Sequence, residues 1–231
     1  MTVLLDYGIG NLRSLERAFE RAGVAVLRSG RIEDARAAQR LVLPGVGAFG
    51  ACAAALHETG LDAVVVERVA AGVPLLGVCV GMQLLFEHSD EGDASGLGLL
   101  AGRVVRFAHG ATGPDGARLK VPHMGWNALR TVRPHPVVTG LGEAPHVYFV
   151  HSYHALPADP ADVVADADYG VAVPAVIARG GVVGVQFHPE KSGPVGTAIL
   201  RAWDAAFAPA APETGATQSN VSLSAAGLSA L

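Results

Sequence analysis

Cysteine is scarce in this chain of 231 residues: there are two, Cys52 and Cys79. That is too few for a disulfide framework, so a reducing compartment is expected. Charge is scarce as well. Only 16% of residues are charged, and 17 basic against 21 acidic side chains leave a net charge of −4. No basic stripe forms, which argues against a nucleic-acid partner. Lysine is rarer still: Lys120 and Lys191 stand among scattered arginines. No apolar run reaches membrane-spanning length, and the N-terminus has neither a basic n-region nor a long apolar h-region; a soluble cytoplasmic protein without a membrane partner is expected. The nine histidines, of which His151 and His154 are the closest pair, form no closed set with cysteine at zinc spacings. No metal and no cofactor is therefore expected.

What the chain does have is half its residues hydrophobic, enough for one substantial core. The stretch that organises it is Val73-Pro74-Leu75-Leu76-Gly77-Val78-Cys79-Val80-Gly81-Met82-Gln83. An apolar strand runs into a cysteine flanked two residues away on each side by glycine. This is the cysteine form of a nucleophile elbow, in which small flanking residues permit a strained strand-to-helix turn. A helix is expected from Gly81 to about His88, its N-terminus favouring a thiolate at Cys79. The competing reading is a buried structural thiol.

Before the elbow the chain alternates. Thr2–Leu5, Val24–Leu27 and Arg40–Leu43 read as strands. A helix capped by Asn11 puts Leu12, Leu15, Phe19 and Ala22 on one face and ends at Gly23, and a helical stretch spans Leu61–Ala71. Strand, helix, strand in this order predicts an α/β fold with an open, mixed, mostly parallel sheet flanked by helices. Its loops would lie at the strand C-terminal ends. After Gly92 come short β-type runs: Arg103–Phe107, Leu119–Met124, Trp126–Val132, Val147–Tyr153, Val163–Ala167, Ala175–Ala178 and Val182–Phe187. They suit an antiparallel extension of the sheet. Ser192 caps a last helix with Pro194 in its first turn and Ile199, Leu200, Trp203 and Phe207 facing inward. Residues 1–208 are expected to form one domain. Residues 209–231, poor in large apolar groups, are expected to be a disordered tail, the rival reading being a marginal docked helix at Leu223–Leu231.

A cysteine nucleophile needs a base and a group to orient it. Gln186-Phe187-His188-Pro189-Glu190-Lys191-Ser192 supplies both at the end of a strand. The proline favours an extended path on which His188 and Glu190 project to the same side. Pro44-Gly45-Val46-Gly47 follows another strand and offers backbone N–H groups suited to an oxyanion hole, without the Lys-Ser/Thr of a phosphate loop.

These three segments together resemble the class I (triad) glutamine amidotransferases. Asp6–Leu12, Glu91-Gly92, Gly96–Leu99, Lys120–Asn127 and Tyr148–Tyr153 narrow the resemblance to the glutaminase subunits of imidazole glycerol phosphate synthases, in histidine biosynthesis. It covers residues 1 to about 207, and Lys120-Val121-Pro122-His123-Met124-Gly125-Trp126-Asn127 is its most specific piece. The resemblance implies Cys79 as nucleophile, His188 as proton shuttle and Glu190 as its orienter. Val46, Gly47 and Val80 would supply oxyanion N–H groups, and Gly47, Gln83, Glu91, Ser152 and Tyr153 would hold glutamine. Asn11 and Lys191 would lie at an interface with a (β/α)₈-barrel cyclase subunit in a heterodimer, and Trp126 near the ammonia passage. The excursion His109–Leu119 is long for the family, and the tail is extra. The alternatives are a glutaminase serving another pathway and a non-catalytic scaffold of the same fold.

Overall fold

The protein is described by a computed structural model that covers residues 1–208 apart from His109, Ala111, Pro114, Asp115 and Ala117. The tail expected at 209–231 lies outside the described residues. In chain order the elements are β1 (Thr2–Leu5), α1 (Leu12–Arg21), β2 (Val26–Ser29), α2 (Ile32–Ala37), β3 (Arg40–Leu43), α3 (Phe49–Glu58), α4 (Leu61–Ala70) and β4 (Leu75–Val78). The second half comprises α5 (Val80–Gln83), β5 (Phe86–Ser89), β6 (Ala94–Ser95), β7 (Leu100–Arg106), β8 (His123–Ala128), β9 (Arg130–Thr131), β10 (His146–His151), β11 (Tyr153–Pro157), β12 (Val163–Asp168), β13 (Ala172–Arg179), β14 (Val182–Val185) and α6 (Gly193–Ala206).

The main sheet has eight strands in the order β2-β1-β3-β4-β14-β13-β12-β9. From β2 to β14 all pairings are parallel, and from β14 to β9 all are antiparallel. The parallel strands inside the half-exposed edge strand β2 are near-continuous apolar runs because they are covered on both faces; every residue of β1, β4 and β14 is buried. The expected fold class is therefore found, with one refinement. Part of the second half leaves the main sheet for a four-stranded sheet, β11-β7-β5-β6, and a two-stranded ribbon, β8 with β10.

Several boundaries differ from the sequence reading, each for a physical reason. β2 starts at Val26 rather than Val24, because Val24 is spent on closing α1: its N–H bonds the Phe19 carbonyl while Gly23, at φ +77°, bonds Glu20. That is the bond pattern of a Schellman motif. The helix α2 was missed. Asn11 and Ser192 occupy N-cap positions, but neither side chain caps its helix. The helix after the elbow is a single turn; Phe86, read as helical, pairs with Leu100 in β5 instead. In the run Leu119–Met124 only His123 and Met124 are strand, since Pro122 has no N–H to give a ladder. The run Val147–Tyr153 is two strands: β10 pairs with β8 and β11 with β7, so the chain changes sheets at Ser152.

Among the described residues no single helix is long and apolar enough to cross a membrane. The α6 helix closes the fold against α1, where Trp203 is fully buried and meets Phe19 edge-on with ring centroids 6.2 Å apart. Trp203→Ala is expected to cost about 3–5 kcal/mol of stability, read as a lowered midpoint in urea denaturation.

Candidate active site

The elbow is built by three glycines at which a side chain has no room. A Cβ on Gly77 would lie 2.7 Å from the Gly81 carbonyl oxygen, one on Gly45 would lie 2.6 Å from the Gly81 nitrogen, and one on Gly81 would run into the Leu43 carbonyl. The turn after β4 thus rests directly on the ends of β3 and β4. Cys79 sits at its apex with φ +55° and ψ −112°, an unfavourable backbone for a residue with a Cβ. Its N–H is anchored to the Val185 carbonyl of β14 at 2.8 Å, and its carbonyl accepts from Met82 and Gln83.

The second segment arrives at the end of β14. His188 is extended, but Pro189–Lys191 forms a 3-10 turn rather than the expected extended path. Proline is tolerated there because the first turn has no partner for its missing N–H. The pairing is nevertheless made: Glu190 Oε1 lies 2.8 Å from His188 Nδ1, with both side chains almost fully buried. Ser192 fastens this turn to β10 by donating to the His188 carbonyl at 2.6 Å and accepting from the Tyr148 N–H at 3.0 Å. Its role here is fastening, not capping.

His188 faces the Cys79 sulfur. Burial alone would lower its pKa, but the hydrogen bonds and charges of Cys79 and Glu190 outweigh it and raise His188 to about 10. The site therefore stabilises an imidazolium between a sulfur and a carboxylate. His123 and His151 go the opposite way. Burial lowers His123 to about 4 and His151 to about 3, so both are neutral.

A pocket of about 350 Å³ opens over the sulfur. It brings together most of the residues named from sequence: Val46, Gly47, Cys79, Val80, Gln83 and Glu91 on one side, and Ser152, Tyr153, His188 and Lys191 on the other. Gly47 has φ +84°, and the Val46 carbonyl accepts from Cys52 at 3.2 Å. The Val80 N–H is engaged by the Gly45 carbonyl at 3.3 Å. Glu91 Oε2 receives the Phe49 N–H at the start of α3 at 2.8 Å. Glu190 stands behind His188, outside the pocket lining. Asn11 and Trp126 also lie outside it. On the ribbon, Trp126 is 56% exposed and meets Tyr148, over whose ring Lys191 Nζ sits 5.4 Å from the centroid. No motif in the sequence assigns a role to Gln186 or His151. Gln186 lies two residues before His188 on the same chain segment, the spacing by which an extended segment presents neighbours to one side.

The sequence matches the family model "Glutamine amidotransferase class-I" over residues 3–204. The chain belongs to the class-I glutamine amidotransferases. Within that family it is 54% identical over 201 residues to the imidazole glycerol phosphate synthase subunit HisH of Geobacillus kaustophilus, covering 87% of this chain and 94% of that one. It is 50% identical over 202 residues to the same subunit of Salinibacter ruber, covering 87% and 92%. The fold is shared with the crystal structure of a glutamine amidotransferase at a TM-score of 0.70 and 22% identity, over 89% of this chain and 98% of that one. It is also shared with PurLQS from Thermotoga maritima at 0.65 and 20%, over 87% and 95%. In this amidotransferase the mixed sheet serves to bring three loops to one edge.

The two classes of histidine give opposite pH limbs. His123 and His151 bind protons in the unfolded chain below about 6.5 but resist them when folded, so stability holds above that pH and falls as pH drops toward 4 and 3. Each adds a slope of about 1.4 kcal/mol per pH unit. His188, raised when folded, contributes stability that is complete below 6.5 and is lost as pH rises through about 10. Denaturant titrations across pH are expected to show a shallower acid limb for His123→Phe than for wild type; equal limbs would contradict this assignment.

Proposed function

We propose that the chain is the glutamine-hydrolysing subunit of an imidazole glycerol phosphate synthase, working through a cysteinyl thioester. The observation that carries the mechanism is Cys79, strained at the elbow and facing the His188–Glu190 pair across the pocket. The Cys79 thiolate attacks the side-chain amide carbon of glutamine. Charge develops on the amide oxygen, where N–H groups of Val46, Gly47 and Val80 serve as donors. His188, charged and oriented by Glu190, gives its proton to the departing nitrogen, and ammonia leaves as the C–N bond breaks. Neutral His188 then takes a proton from water, hydroxide attacks the thioester carbon, and glutamate departs as the C–S bond breaks. Gly47, Gln83, Glu91, Ser152 and Tyr153 hold the substrate from the pocket walls.

Ammonia has to reach the second half of the reaction without protonation in bulk water. The partner is a cyclase subunit, a (β/α)₈ barrel paired one to one in a heterodimer. It docks on the face that carries Asn11 and Lys191, with Trp126 beside the ammonia passage. Neither nucleic acid nor a membrane is a partner, and the reaction belongs to the cytoplasm, in keeping with two free thiols. The Val80 N–H, bound to the Gly45 carbonyl in this structure, has to be released before it can meet an oxyanion. Rotation of the Gly45–Gly47 peptides provides that release, and docking of the cyclase supplies the switch.

Glutamate release is expected to be slow for the isolated subunit and to rise many-fold with the cyclase and its ribonucleotide ligand. Cys79→Ala is expected to be silent throughout, and His188→Asn to lose about 10²–10⁴-fold in kcat. Free turnover that ignores the cyclase would leave the chemistry and refute the pathway. Activity in Cys79→Ala would refute the mechanism and favour a scaffold role.

A further inference from the structure

Gln186 is fully buried beside the nucleophile, and no step above uses it. A buried amide is costly unless every polar atom has a partner, and an apolar side chain of similar size would avoid that cost. Its partners therefore bear on what it does. Gln186 Nε2 lies 3.9 Å from Cys79 Sγ, and its Oε1 lies 3.0 Å from Gln83 Nε2. Gln83 Nε2 also lies 3.0 Å from the Tyr153 carbonyl oxygen.

The sense of both amides follows from that carbonyl, which only accepts. Gln83 must turn its nitrogen toward Tyr153; the reverse would set two oxygens against each other. With one N–H on Tyr153, the other points at Gln186, which must then offer Oε1. The nitrogen of Gln186 is left facing the sulfur. The carbonyl of Tyr153 is itself held by a second donor, His151 Nδ1 at 2.8 Å. That bond puts the proton of neutral His151 on Nδ1 and leaves Nε2 to accept from His123 Nδ1 at 3.0 Å, while Asn127 Nδ2 lies 3.3 Å from His123 Nε2. Donors thus point one way, from Asn127 and His123 on the ribbon strand β8 to Tyr153. There they meet the two glutamines that lead to Cys79.

We propose that Gln186 is a further residue of the nucleophile site, a fixed N–H donor that stabilises the Cys79 thiolate, its sense set by Gln83 and the Tyr153 carbonyl. The proposal rests on the reading of Cys79 as nucleophile. A donor on the sulfur also favours the charged form of His188, because the imidazolium faces the thiolate that the donor stabilises.

The test is the titration of His188 by ring-nitrogen NMR, its signal assigned by its loss in His188→Asn. Cys79, Glu190 and neutral His151 are the groups that act on this ring. With one proton shared by Cys79 and His188, Gln186→Met is expected to move the balance about tenfold from thiolate and imidazolium toward thiol and neutral imidazole, read in the His188 ring-nitrogen shifts. In a Cys79→Ala background the same substitution is expected to leave those shifts unchanged, since there is no sulfur to serve. An equal change in both backgrounds, or none in either, would overturn the proposal. Should Gln186→Met fail to fold, the Gln186 side-chain amide resonances can be followed with Gln186 intact: they are expected to move on Cys79→Ala, and an unchanged spectrum would overturn the proposal. Neither readout needs glutamine turnover. A wild type that cannot hydrolyse glutamine yet passes both would refute the proposed function and leave the contact standing.

Discussion

Everything at the site depends on how closely the turn after β4 lies on the ends of its neighbours. Three glycines make that approach possible, and the distances leave no slack: a methyl group at Gly45, Gly77 or Gly81 would meet backbone atoms of the facing segment. Backbone atoms, unlike the end of a flexible side chain, cannot step aside without moving a strand. Cys79 is held at a positive φ because the segments on both sides of it are fixed: β4 lies within the sheet, and Gly81 is wedged against Leu43. The strain is local, while the pairing that holds it is spread over five parallel strands.

That placement sets the electrostatics. His188 approaches the sulfur from the end of β14, the neighbour of β4, with Glu190 behind it, so the distance from imidazole to sulfur is set by the sheet. Burial acts on every histidine around the pocket in one direction, against charge. It wins at His123 and His151, whose partners are neutral. It loses at His188, which has a sulfur on one side and a carboxylate on the other. One environment therefore holds a cationic imidazole next to two neutral ones. The difference lies in the partners rather than in depth.

Much of the fold was legible because the inner parallel strands β1, β3, β4 and β14 are covered on both faces and their pattern is plain. Thr2–Leu5 and Arg40–Leu43 were placed to the residue, and the order of strand and helix gave the sheet its class. The misreadings share a cause. The apolar run from Leu84 to Phe86 suits a helix or a buried strand equally well; contact with Leu100, distant from the elbow helix, decides it. Val147–Tyr153 has one continuous β pattern, but the partners β8 and β7 lie in different sheets and break it at Ser152. Asn11 and Ser192 stand where caps belong, yet the side chain of Ser192 is taken by the His188 carbonyl and the Tyr148 N–H.

The sequence by itself determined the elbow, the residue types around it and the family, since each rests on short spacings within single segments: Gly-x-Cys-x-Gly, Pro-Gly-Val-Gly and His-Pro-Glu. A turn that only glycine can make leaves its mark in the residues that make it. The tertiary structure decided what crosses between segments. It closed His188 and Glu190 through a 3-10 turn, put the Val80 N–H on the Gly45 carbonyl, and joined Gln186 to Gln83, Tyr153, His151 and His123. Hydrogen-bond sense and protonation depend on which groups face one another across the fold, and residues up to about a hundred positions apart, such as Gln83 and Gln186, have no local pattern that records their meeting.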